Sequence, residues 1–102
     1  MTVQAHYNND ILHIRLSGEM DEHTAAYARR ESDALITRYP YCKSAVFDLR
    51  EVSFMDSTGI GFLIGRYKNF QKRGIPVYVA NASQSTDKIL SMSGVYTLIP
   101  KL

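Results

Sequence analysis

Between Ala45 and Phe70 the hydrophobic pattern changes period, and that change restricts the architectures open to this chain. Ala45, Val46, Phe47 and Leu49, interrupted only by Asp48, form a short apolar run of the kind that makes a buried strand. Ile60, Leu63, Ile64, Tyr67 and Phe70 then recur near helical spacing and predict a helix from Ser57. Gly74 is a favourable residue just past a helix end, and Pro76 soon follows. Val77-Tyr78-Val79-Ala80 reads as the next strand. Strand, helix, strand in this order implies parallel neighbours in one sheet, because the helix must carry the chain back to the starting edge.

The flanking segments extend the pattern. Val3 to Tyr7 and Ile11 to Leu16 alternate around Asn8-Asn9-Asp10, which predicts a hairpin. Leu12, Ile14 and Leu16 face one side, with His13 and Arg15 opposite, and Ser17-Gly18-Glu19 is expected to break the strand. Asp21 or Thr24 caps a helix carrying Ala25, Ala28, Leu35 and Ile36 and closed by Pro40. Ser83 or Ser85 caps a third helix with Ile89, Leu90 and Met92, which Gly94 stops, and Tyr96 to Ile99 is expected as a last strand. The fold class is therefore α/β, a mixed and mostly parallel sheet with helices packed on it, in the order β-β-α-β-α-β-α-β.

Size and charge narrow the functions. The 102 residues are expected to form one domain spanning 1–102, and 45% hydrophobic residues suffice for a packed core. Net charge is only +2, with Lys72-Arg73, Arg66 and Lys68 read as a solvated helix face, so no nucleic-acid partner is expected. Cys42 is the single cysteine, which excludes an intramolecular disulfide and the ligand set of a structural zinc site. No apolar stretch reaches membrane-spanning length and no secretory signal opens the chain, so no membrane and a cytoplasmic address are expected.

Catalytic constellations fit poorly. A nucleophile elbow needs glycine two residues before its serine, where this chain has Met55, and His6, His13 and His23 all precede Ser57. Gly59, Gly61 and Gly65 lack the spacing and the lysine of a phosphate-binding loop. In a helix each costs about 0.5–1 kcal/mol relative to Ala, so they serve either close packing or a bare surface for a partner. Asp21, Glu22 and His23 are adjacent and are read as a solvated helix start, not a metal site. The expectation is a protein that is not an enzyme and needs no cofactor.

Ser57 is either the cap of its helix or a modification site. If Asp56 takes the capping role, Ser57 is left free at the first helical turn, where a phosphate is tolerated by the N–H groups and the dipole.

Phe54-Met55-Asp56-Ser57-Thr58-Gly59-Ile60-Gly61, with Gly65-Arg66-Tyr67-Lys68, resembles the signature of STAS-domain anti-sigma-factor antagonists. Leu16-Ser17-Gly18-Glu19-Met20-Asp21, His23-Thr24-Ala25 and Met92-Ser93-Gly94 are similar to the sporulation branch, the anti-sigma F factor antagonists. The resemblance implies a partner switch. The unmodified protein binds an anti-sigma factor that is also a serine kinase and so releases the sigma factor. The kinase, using ATP, phosphorylates Ser57 and ends binding, and a serine phosphatase reverses the mark. Asp21, Thr24, Asp56, Thr58, Gly59, Ile60 and Gly61 are implied as the docking surface. Thr58 stands where the family often has a second serine. A general stress-response antagonist with the same chemistry and a ligand-sensing STAS module are the alternatives.

Overall fold

The computed structural model describes all 102 residues, Met1–Leu102. Strands β1 (Thr2–Asn8) and β2 (Ile11–Met20) form the expected hairpin, antiparallel, with Thr2 opposite Ser17 and Asn8 opposite Ile11. Asn9 and Asp10 both take positive φ, 54° and 65°, the turn geometry that matches the right-handed twist of the strands. Helix α1 (Ala25–Arg38) leads to β3 (Ser44–Met55), which lies parallel to β2. Helix α2 (Ser57–Gln71) leads to β4 (Val77–Ala80), parallel to β3, so the sheet order is β1-β2-β3-β4. Helix α3 (Gln84–Ser93) is capped by Ser83, whose Oγ accepts the Thr86 N–H, and it ends at Gly94 in the left-handed region.

Alternation decides which side of the sheet the core occupies. Leu12, Ile14, Leu16, Ala45, Phe47, Leu49, Val77 and Val79 are buried in one cluster with Ala28, Leu35 and Ile36 of α1. Phe62, Leu63 and Phe70 of α2 and Leu90 of α3 complete the same cluster. Phe47 anchors it, meeting Phe62 and Phe70 edge-to-face at 5.9 and 6.1 Å. His13, Arg15 and Asp48 occupy the alternate positions and stay partly exposed on the outer face.

Two expectations about the strands need correction. Ser17-Gly18-Glu19 does not break β2, and β3 runs six residues past Leu49 to Met55. The register slips twice, between Arg15 and Ser17 and again between Gly18 and Glu19, each time giving β3 one residue more than β2. Beyond the first slip, burial on β3 recurs at Leu49, Val52 and Met55, every third residue. Bulges thus replace the two-residue period by which a strand is recognised in sequence. Gly18, at φ +114°, lets β2 follow the same bend.

The last expected strand is also absent. After Gly94 the chain turns through a 3-10 segment, Val95–Thr97, with the N–H groups of Leu98 and Ile99 donating to the Val95 carbonyl. Val95 and Ile99 both point into the core, four residues apart, which is the spacing of a helical turn. Sheet pairing resumes only at Lys101, a single parallel bridge to Val79. The Tyr96 hydroxyl donates to Asp87 Oδ1 at 2.6 Å, fixing this turn to α3, and both burial and Asp87 push the phenol pKa upward.

Asp48 joins three segments at the first slip. Its carboxylate accepts from the Arg50 N–H at 3.0 Å, from Asn81 Nδ2 at 3.3 Å and from Arg15 at 3.2 Å. Burial raises its pKa, but these donors and the Arg50 charge outweigh burial, so the net shift is downward. A carboxyl with a lowered native pKa stabilises the fold above its unfolded value of about 3.9, and that contribution is lost as pH falls through the native value. Asp48→Asn is expected to cost about 1–2 kcal/mol near neutral pH. Urea unfolding should show the gap to wild type closing below about pH 4.

Candidate functional site

Parallel pairing brings Met20 and Met55 together as the last partners of β2 and β3, so the loops after them leave the sheet side by side. Asp56 follows Met55 in an extended conformation, and its N–H donates to the Met20 carbonyl at 3.4 Å. Its carboxylate accepts the Thr58 N–H at 2.9 Å and its carbonyl the Gly59 N–H at 3.0 Å. Asp56 is therefore the N-cap of α2, and the cap role is not available to Ser57. Ser57 is the first helical residue, exposed, and its hydroxyl makes no hydrogen bond within the protein. No imidazole is hydrogen-bonded to it as a base would be. Thr58, one residue on, is half-buried.

The neighbouring loop is held by its own side chains. Asp21 accepts the His23 N–H at 2.9 Å, while Thr24 Oγ1 accepts the Asp21 N–H at 3.1 Å and donates to the Glu19 carbonyl at 2.8 Å. Thr24 thus precedes α1 in the N-cap position, yet its hydroxyl binds back into the loop and caps no helical N–H. Asp21 and Asp56 each follow one of the paired strand ends, with Glu19 near the end of β2 and Glu22 beside Asp21 in the loop, so this end of the sheet is rich in carboxylates. Phe54, opposite Glu19 on β3, is 49% exposed beside them, an anchor-sized apolar surface that the sequence pattern did not assign.

The glycines separate into two kinds. A Cβ on Gly59 would lie 2.3 Å from Met55 Cγ and 3.0 Å from Met20 Cγ, so α2 reaches the strand ends only because that position has no side chain. Gly59 is buried where α2 meets the strand ends. A Cβ on Gly61 or Gly65 would meet nothing within 4 Å. Ile60 packs partly against the core. The largest cavity, about 690 Å³, shares no residue with this site; it lies on the outer sheet face around His6, His13 and Arg15.

A mixed four-stranded sheet with crossover helices, and a free serine opening the second of them, defines the class of domain. The STAS domain family matches residues 2–102, and the chain belongs to that family. It is similar to an anti-sigma F factor antagonist from Paenibacillus polymyxa, 33% identical over 100 residues that cover 98% of this chain and 85% of the relative. It is 25% identical over 99 residues to an anti-sigma-B factor antagonist from Bacillus subtilis (strain 168), covering 97% and 88% of the two chains. The fold matches the anti-sigma factor antagonist SpoIIAA in its unphosphorylated form with a TM-score of 0.79 at 24% identity, covering 99% of this chain and 88% of that one. The phosphorylated form of the Bacillus cell fate determinant SpoIIAA matches at 0.71 and 24%, covering 99% and 91%. No helix is long and apolar enough to cross a membrane.

Gly59→Ala is expected to destabilise the protein by about 1–3 kcal/mol through overpacking of Met20 and Met55. Gly61→Ala should instead stabilise it by about 0.5–1 kcal/mol. Asp56→Ala should cost about 1 kcal/mol through the lost cap. Urea midpoints of the three variants against wild type check all three signs.

Proposed function

We propose that this chain, as a single STAS domain spanning 1–102, is a cytoplasmic anti-sigma-factor antagonist controlled by phosphorylation of Ser57. Its partner is an anti-sigma factor that is also a serine kinase; a serine phosphatase restores the binding form, and the antagonist itself catalyses nothing. The observation that carries this reading is the division of labour at the start of α2. Asp56 holds the helix end, which leaves the Ser57 hydroxyl exposed and free of structural duty. Similarity to anti-sigma F and anti-sigma-B factor antagonists supports it.

Phosphorylation adds about −1.5 to −2 charges at this point. The N-terminus of α2 tolerates them, so the fold survives. An interface does not, because a charge desolvated without a partner costs several kcal/mol and each 1.4 kcal/mol is about tenfold in affinity. Asp21, Thr24, Asp56, Thr58, Gly59, Ile60 and Gly61 form the docking surface around Ser57, Gly59 by seating α2 against the strand ends.

Intact mass after incubation with ATP, Mg²⁺ and the source organism's anti-sigma kinases is the test. One phosphate is expected on wild type and on Thr58→Val, and none on Ser57→Ala. Ser57→Asp should bind the kinase at least about tenfold more weakly, while Ser57→Ala binds and cannot be released. Tight binding by the phosphorylated form overturns the proposal.

A further inference from the structure

Between α1 and α2 runs a groove of about 400 Å³ whose walls include Ala25, Ala26 and Arg29 on one side and Gly61, Gly65 and Arg66 on the other. Neither glycine is required by anything inside the protein, since a Cβ at either would meet no atom within 4 Å. Each nonetheless weakens α2 by about 0.5–1 kcal/mol. Their absence of side chain keeps the groove open.

The groove carries more positive than negative charge, two arginines against the one carboxylate of Asp33. Arg66 is only 8% exposed, with Nε 2.7 Å from Asp33 Oδ1, but the contact lacks hydrogen-bond alignment. Its guanidinium lies over the Phe62 ring at 5.3 Å. Arg29 also lines the groove and forms no ion pair. Burial lowers the Arg66 pKa, Asp33 opposes the shift and the Arg29 charge adds to it. Asp33 pairs with Arg66 alone, which leaves the Arg29 charge without a partner. A buried arginine left incompletely paired is costly, and Arg prefers planar, two-point contact with a carboxylate.

We infer that this groove seats an acidic segment of the protein partner, whose Asp or Glu side chain completes the Arg29–Arg66–Asp33 cluster while its backbone lies over Gly61 and Gly65. This rests on the antagonist reading above and specifies where and by what chemistry the partner binds. It also gives the switch a sign. Ser57 and Gly61 lie one turn apart on the same stripe of α2, and Thr58 beside Ser57 lines the groove. A phosphate there places negative charge at the mouth through which the partner's carboxylate must pass, and repulsion adds to desolvation.

The probe is the anti-sigma kinase that phosphorylates wild type in the mass experiment, with binding measured by titration calorimetry. Arg29→Glu and Gly65→Leu are each expected to weaken binding at least about tenfold, with thermal melting of both variants no lower than wild type. Arg29→Lys should retain most of the affinity. One Asp→Arg or Glu→Arg change on the partner should restore binding to Arg29→Glu. Wild-type affinity in both variants overturns the groove while leaving the antagonist reading intact. Failure of every partner reversal to restore binding overturns the acidic segment. No binding or phosphorylation of wild type by any of the kinases overturns both readings.

Discussion

Met20 and Met55 end two parallel strands at the same level, and Gly59 sits against both of their side chains. No side chain fits between α2 and these methionines, so the helix starts where the strands stop and cannot slide. Asp56 reinforces the arrangement from the backbone side, its N–H on Met20 and its carboxylate on the first turn of α2. Ser57 is fixed in space by that packing, although it takes no part in it. The chemistry of a residue placed so can change while the contacts that position it do not.

The same division means that the phosphate proposed at this point would alter recognition more than folding. Negative charge beside a helix N-terminus is favourable by roughly 0.3–1 kcal/mol when exposed. Inside an interface the same charge meets a desolvation cost several times larger. Asp21, Glu19, Glu22 and Asp56 already make that end of the sheet acidic, so a new dianion finds no cation within its own loop. Guanidinium groups line the α1–α2 groove, where Arg66 pairs with Asp33 and Arg29 has no ion-pair partner. Acidic rim and basic groove stand on adjacent surfaces, and a partner reading both must present the complementary order of charges.

Much of the fold was legible in residue patterns because most elements obey a simple period. The hairpin, the three helices and the inner half of β3 follow from alternation, capping residues and Gly or Pro stops. Ser57 and Asp56 were legible as a pair because a cap needs a carboxylate or hydroxyl just before the first turn. Patterns failed where tertiary contacts overrode the period. The outer half of β3 carries bulges that bury every third residue, and the stretch after Gly94 buries Val95 and Ile99 through a helical turn in place of a strand. The Arg66–Asp33 pair joins residues 33 positions apart on two helices, and no local spacing announces it.

By itself the sequence determined the element order, the parallel connections, the exposed start of α2 and the candidacy of Ser57, because periodicity, chain stops and helix capping act over a few neighbouring residues. Only the tertiary structure decided that Asp56 takes the cap and that Gly59 is a packing glycine while Gly61 and Gly65 are open. It alone also placed Arg29 and Arg66 on one groove. Those distinctions depend on what lies across a contact from another part of the chain, and close packing between distant segments leaves no periodic trace in the residues that make it.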